Sequence, residues 1–194
     1  MIAARALEKR YGAKRALRPI DLEVERGGFV VVTGANGSGK TTLLRLVAGL
    51  AAPTGGELEV EADRGGLGFL GHEPLVYHDL TAVENLDLYG RLYRVPERRV
   101  RVGMLLERFG LWEARNERAG SYSRGMLQRL ALCRTLLHDP ELLVLDEPFT
   151  ALDFAGADLL DRLLEEVAGR RTILLSTHDP TRVAPLATGT LALA

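Results

Sequence analysis

The chain has 194 residues, of which 46% are hydrophobic, enough for one domain with a sizeable core. Its 25 basic and 26 acidic residues leave a net charge of −1, which argues against a general nucleic-acid binder. The single cysteine, Cys133, excludes an internal disulfide and a thiolate cluster and suits a reducing, cytosolic setting. No stretch approaches the roughly 18 apolar residues of a membrane span, and Met1 to Arg5 lacks the apolar core of a signal peptide.

In chain order, strands are expected at Ala3–Leu7, Ile20–Val24 and Phe29–Thr33. A helix follows from Lys40 to Ala48, with Leu43, Leu44 and Val47 on its apolar side. Gly27-Gly28 and Pro53-Thr54-Gly55-Gly56 read as tight turns. Gly68–Leu70 is a further strand. From about Glu84 to Leu137 the periodicity turns helical. Thr81 with Glu84 forms a capping box ahead of Leu86, Tyr89, Leu92 and Tyr93 at helical spacing. Arg98-Arg99-Val100-Arg101 reads as a solvated helix face. Trp112 is expected to pack within this helical part, and Cys133 to be buried. His78 and His138 read as ordinary surface or capping residues. Leu142–Leu145 and Thr172–Ser176 are apolar strands around a helix at Asp158–Val167, and Leu191-Ala192-Leu193 makes a short edge.

Gly34-Ala35-Asn36-Gly37-Ser38-Gly39-Lys40-Thr41 fills every fixed position of the phosphate-loop pattern G-x-x-x-x-G-K-[ST]. A strand before it and a helix after it supply the context in which such a loop binds a nucleoside triphosphate. Glycines let backbone N–H groups converge on phosphate, and the helix N-terminus adds positive potential. Lys40 would reach the β- and γ-phosphates, and Thr41 would offer its hydroxyl to Mg²⁺. Leu142 to Leu145 ends in Asp146-Glu147. Asp146, first off the strand, suits the metal shell; Glu147 suits a general base for water.

With these motifs in this order, the whole chain resembles the ATP-binding cassette family, the ATPase subunits of ABC transporters. Tyr11 matches the aromatic residue that stacks on adenine. Gly34 to Thr42 is the phosphate loop, including Asn36, Gly37, Ser38, Gly39 and Thr42. Phe69-Leu70-Gly71-His72 stands where the family has its Q-loop, with His72 replacing the usual glutamine. Tyr122-Ser123-Arg124-Gly125-Met126 matches the signature L-S-G-G-Q and keeps Ser123 and Gly125. Ala151-Leu152-Asp153 matches the D-loop, and His178 the switch histidine. An imidazole is a poor ligand for Mg²⁺, a hard ion that prefers oxygen, so His72 is expected to hold a water or to serve a coupling interface.

The resemblance implies an α/β P-loop NTPase of ABC type. It would have a mainly parallel core sheet, a small antiparallel β part and a helical insertion. One domain, 1–194, would comprise a nucleotide-binding core (1–72 and 138–194) and a helical subdomain (73–137). ATP and Mg²⁺ are the implied cofactors. Glu147, His178 and His72 are the implied catalytic residues, and Thr41 and Asp146 the metal ligands. Tyr11, Gly34 to Thr42, Ser123, Gly125 and Asp153 are the implied nucleotide contacts. The implied partners are an integral membrane permease and a second cassette, either a head-to-tail copy or a different ABC ATPase, with no nucleic acid. The site of action would be the cytoplasmic face of the cell membrane. The short stretch after His178 leads to the expectation of a cassette without the C-terminal extension of many importer ATPases.

Gly68 to Pro74 followed by Leu80 to Leu86 is similar to the ATPase subunit of the cytochrome c maturation haem exporter. The signature is similar to drug, polysaccharide or lipid exporters. A ribosome-directed ABC protein would usually carry two cassettes. A DNA-repair ATPase would need a long coiled coil, and a small P-loop kinase would lack Ser123, Gly125 and His178.

Overall fold

The computed structural model describes residues 1–63 and 65–194. Two sheets share the work. Strands β1 (Ile2–Tyr11), β2 (Lys14–Val24) and β4 (Gly55–Val60) form an antiparallel sheet in the order β2-β1-β4. Strands β3 (Phe29–Gly34), β5 (Leu67–Leu70), β6 (Leu142–Asp146), β7 (Thr172–Ser176) and β8 (Gly189–Leu193) form a parallel sheet. Its order is β5-β6-β7-β3-β8. Helix α1 (Lys40–Val47) packs across β6 and β7. Helices α2 (Ala82–Leu92), α3 (Arg98–Arg108) and α4 (Arg124–Leu136) fill the segment between β5 and β6, and α5 (Phe154–Val167) joins β6 to β7. The chain therefore has the expected ABC-type ATPase fold: a parallel core sheet, a small antiparallel sheet and inserted helices.

Strand residues alternate between two cores, as a period of two requires. Val30, Val32, Leu142, Val144 and Leu174 face α1 and the antiparallel sheet. Phe29, Val31, Leu143, Leu145, Ile173 and Leu175 face the helices on the other side. Both faces are covered, so β6 and β7 are buried at every residue and read as unbroken apolar runs. The capping box of α2 forms as expected: Thr81 Oγ1 accepts from Glu84 N, and Glu84 Oε2 accepts from Thr81 N.

Several expectations need correcting. Pro53 to Gly56 does not end in a turn alone; Gly55 opens β4. Gly56 has φ +76°, and a Cβ there would stand 2.2 Å from the Ala6 carbonyl oxygen. That oxygen belongs to a bulge in β1, where Ala6 itself has φ +45°. Glycine is required by this close approach, and it disguises a strand whose Leu58 and Val60 pack against the core. The β1–β2 hairpin also runs further than its apolar residues suggest, to a turn at Gly12-Ala13.

The basic run is not simply solvated. Arg98 pairs with Asp87 of α2, and Arg101 Nη2 donates to the Leu136 carbonyl at the end of α4, 2.9 Å away. Trp112 packs within the helical part as expected, its ring beside Gly103 of α3, and the Arg115 guanidinium covers its outer side 3.9 Å from the ring centre. Cys133 is fully buried, as expected.

His138 is not an ordinary surface histidine. Its ring stacks on Tyr93, with centroids 4.0 Å apart, and its Nε2 meets the Leu67 carbonyl at 3.0 Å. Burial pulls its pKa below the usual imidazole value, against the opposing pull of the Leu67 carbonyl. A folded-state pKa below the unfolded one means that the unfolded chain binds the proton more readily. This contribution to stability is therefore full above the unfolded value of about 6.5 and is lost as pH falls below it. Urea unfolding should show wild type losing stability between about pH 7 and pH 5 more steeply than His138→Phe. Equal slopes would remove the imidazole as the cause.

Candidate active site

Four neighbouring parallel strands deliver their C-terminal ends to one place, the usual location for ligands in such sheets. β5 leads to Gly71-His72, β6 ends in Asp146-Glu147, β7 leads to Thr177-His178, and β3 runs into the glycine-rich loop. Because the order is β5-β6-β7-β3, these four chemistries lie side by side. A cavity of about 580 Å³ opens there. Its walls include Asn36, Gly37, Gly39, Lys40, Thr41, Thr42, His72, Glu147 and His178, together with Lys14, Ala16 and Thr150.

The loop turns sharply into α1. Gly39, the residue before the helix, has φ +106°, and a Cβ would stand 2.6 Å from the Ala16 carbonyl. Lys40 is buried, and its Nζ donates to the carbonyls of Gly34 (2.8 Å) and Ala35 (3.3 Å). The ammonium is thus held inside the curl of the loop. The helix N-terminus behind it points its N–H groups the same way.

Asp146 is 1% exposed. Its Oδ1 accepts a 2.6 Å bond from Ser176 Oγ, while its Oδ2, also buried, has no hydrogen-bond partner among the described residues. A buried carboxylate oxygen without a donor is costly unless a cation meets it. The hard-oxygen donor set of Asp146 and Thr41 therefore fits Mg²⁺.

Glu147 sits at φ +48°, an unfavourable conformation for a residue with a Cβ. Its N–H is fixed by both the Ser176 hydroxyl (3.0 Å) and the Ser176 carbonyl (3.2 Å). The turn aims its carboxylate at His178: Oε2 accepts from His178 N at 3.3 Å and meets His178 Nδ1 at 2.9 Å. His178 itself is largely exposed, at 73% of its side chain, against 19% for Glu147.

The remaining sequence-derived residues lie outside the cavity wall. Gly34 and Ser38 pack beneath the loop, where the Ser38 hydroxyl is buried. Tyr11 stands half-exposed near the hairpin tip with Lys9 Nζ 4.9 Å above its ring. Ser123 caps α4, its Oγ accepting from Met126 N at 3.2 Å. Asp153 caps α5, accepting from Gly156 N at 2.8 Å. A Cβ at Gly125 would stand 3.2 Å from the Ala151 carbonyl, so the signature and the 151–153 segment abut one another. Sequence reading missed Lys14 and Thr150. Thr150 could have been found from its place three residues after Glu147; Lys14 carries no local signal, because only the hairpin brings it in.

A family model described as "ABC transporter" matches residues 17–150, well over half of the chain. The chain belongs to the ABC transporter family. Among curated relatives, this cassette is 40% identical over 185 residues to the ABC transporter ATP-binding protein YxlF of Bacillus subtilis, covering 92% of the chain. It is 42% identical over 183 residues to the daunorubicin resistance ATP-binding protein DrrA3 of Streptomyces coeruleorubidus, covering 88% of it. It is 37% identical over 195 residues to the aliphatic sulfonates import ATP-binding protein SsuB of Pseudomonas fluorescens, covering 96% of it. The cassette spans only 62% of YxlF, 58% of DrrA3 and 70% of SsuB. The ATP-binding cassette MJ0796, solved as a dimer in a post-hydrolysis state with ADP and Pi, superposes with a TM-score of 0.88 at 28% identity. That match covers the whole of this cassette and 94% of the other.

Ser176 is the hinge of the acidic pair. Ser176→Ala should leave Asp146 Oδ1 and Glu147 N–H without this hydroxyl and lower unfolding free energy by about 1–3 kcal/mol. Urea melts at constant m-value check this; an unchanged midpoint would mean that the hydroxyl does not hold the carboxylate.

Proposed function

We propose that this chain is the ATP-binding and ATP-hydrolysing subunit of an ABC exporter, working on the cytoplasmic face of the membrane through a separate permease. The observation that carries the proposal is the single cavity in which the phosphate loop, Glu147 and His178 meet. Among the described residues, no helix is long and apolar enough to cross a membrane.

In this reading, the loop N–H groups and Lys40 hold the β- and γ-phosphates. Tyr11 offers its half-exposed ring to the adenine. Thr41 and Asp146 would hold Mg²⁺, which when bound would offset phosphate charge. Glu147 accepts a proton from the attacking water. Its pairing with His178 Nδ1 leaves Nε2 for the γ-phosphate, and holding the base in its turn limits the reorganisation needed at reaction. Ser123, Gly125 and Asp153 lie outside the cavity of their own chain, which suits service to the nucleotide of a second cassette. That cassette would be a head-to-tail copy or a different ABC ATPase. Closure on ATP and opening after hydrolysis would then be a shift between two populations, passed to the permease by the helical segment 73–137.

Export is favoured by the resistance protein DrrA3 among the relatives and by the signature Tyr122 to Met126. The daunorubicin named there belongs to that protein, and the import protein SsuB marks the opposing class. The narrower reading, haem export for cytochrome c biogenesis, rests on the run Gly68 to Pro74, with its Gly71-His72, followed by Leu80 to Leu86. Transport into inside-out vesicles carrying the permease separates export from import.

Glu147→Gln should keep ATP binding and cut turnover on the order of 10²–10⁴-fold, with an ATP-bound dimer accumulating in size-exclusion chromatography. Wild-type turnover would remove Glu147 from the role of base. Lys40→Ala should weaken ATP binding to the dilute monomer, because a charge facing two phosphates is lost. Ser123→Ala should spare that binding and weaken ATP-driven dimerisation instead. Calorimetry on both variants distinguishes the roles; equal losses in the monomer would contradict service in trans.

A further inference from the structure

The short segment that carries His72 into the cavity is fastened on both sides by one cation–π pair of side chains. On its N-terminal side, the Phe69 carbonyl accepts from Arg134 Nη2 (2.9 Å) and from Thr135 Oγ1 (3.2 Å). On its C-terminal side, the Leu75 carbonyl accepts from the Tyr89 hydroxyl at 2.8 Å. The two fasteners touch each other: the Arg134 guanidinium lies 5.3 Å from the Tyr89 ring centroid. Five residues, Leu70 to Pro74, therefore run between two anchored residues whose fasteners belong to different helices, α4 and α2.

The surroundings make this more than a pair of surface bonds. β5 is an edge strand, and its ladder with β6 leaves the Phe69 carbonyl on the outer side, where no strand can satisfy it. Arg134 is only 8% exposed, and its Nε has no hydrogen-bond partner among the described residues. Burying a guanidinium in this way is costly, and Arg134 is the firm donor to Phe69, because the one proton of the Thr135 hydroxyl is shared with the nearer Ala131 carbonyl at 2.9 Å. The Phe69 ring is wedged against the next turn, 2.9 Å from where a Cβ on Gly71 would stand. A shift of Phe69 would therefore move the peptide next to His72. Leu75 is held at φ +51°, a conformation that needs an external bond to persist. Burial raises the Tyr89 pKa, keeping the phenol a donor.

We propose that Arg134 and Tyr89 are positioning residues for His72. Together they clasp the two ends of its segment and set how the imidazole meets the nucleotide cavity. The effect on turnover rests on the reading of that cavity as the ATP site; the placement of His72 does not.

Tyr89→Phe tests the clasp mildly, since it keeps the ring beneath Arg134 and removes only the bond to Leu75. Arg134→Met removes the other prong, and Arg134→Lys restores one donor. The chain has four histidines, so ring-¹³C-labelled protein gives a spectrum in which His72→Ala identifies the His72 signal. Both Tyr89→Phe and Arg134→Met should shift that signal while leaving the His178 signal in place, with Arg134→Lys nearer wild type. ATPase kcat/KM should fall about tenfold in each, within the range that small misplacements produce. In a His72→Ala background the same substitutions should cost nothing further. An unmoved His72 signal in folded Tyr89→Phe, or losses that simply add to those of His72→Ala, would overturn the proposal. If Arg134→Met does not fold, Tyr89→Phe alone decides. Full ATP affinity in Lys40→Ala would instead overturn the reading of the cavity, and the histidine spectrum would still judge the clasp.

Discussion

The site depends on one buried hydroxyl. Asp146 brings a carboxylate to the end of a strand that is apolar on both faces, where water cannot stabilise it. Ser176, at the matching position on the neighbouring strand, donates to that carboxylate and accepts from the next N–H, that of Glu147. Parallel registry places these groups level, so the sheet itself sets the spacing of the acidic pair. The chain then turns at Glu147 and cannot continue as a strand, which is how an internal carboxylate and a cavity-facing carboxylate arise from consecutive residues. In the proposed mechanism, metal binding and water activation would use these two environments separately.

The opposite wall is built on a different principle. The glycine-rich loop carries no strong side-chain anchor except Lys40, which is held by the loop's own carbonyls. Its shape comes from the left-handed glycines and from the helix that follows. α1 lies across β6 and β7, so the loop that precedes it is fixed relative to Asp146 and Ser176 through a shared apolar core. The helices on the other face have their own core. That core includes sheet residues, and polar bonds add to it near the site, among them Gln128 Nε2 to the Pro148 carbonyl at 3.2 Å.

Much of this was legible in the sequence because its signals are local. The loop pattern, the apolar runs ending in Asp146-Glu147 and in Ser176, and the capping box at Thr81 each depend on residues within a few positions of one another. What was not legible depends on distant partners. β4 looks like a turn because Gly56 answers a bulge in β1, and the bulge at Ala6 has no signature of its own. His138 looks like a surface residue until Tyr93 and the Leu67 carbonyl are brought to it. Lys14 joins the cavity only because the hairpin overhangs the loop. The roles of Ser123 and Asp153 are ambiguous for a further reason: each is a sound N-cap within its own chain, so a local explanation exists whether or not a second cassette uses them.

The left-handed backbone at Glu147 has a consequence for how this position can change over evolutionary or laboratory selection. A side chain there carries a conformational penalty on the order of 1–3 kcal/mol, and β-branched residues carry the most. Glycine relieves that penalty and asparagine much of it, so the substitutions that most favour the fold are ones that discard the carboxylate. Stability and turnover therefore pull this residue in opposite directions. Under the proposed role of Glu147, a screen for thermal tolerance alone would drift toward a cassette without its base, and only selection on turnover would keep the acid in place.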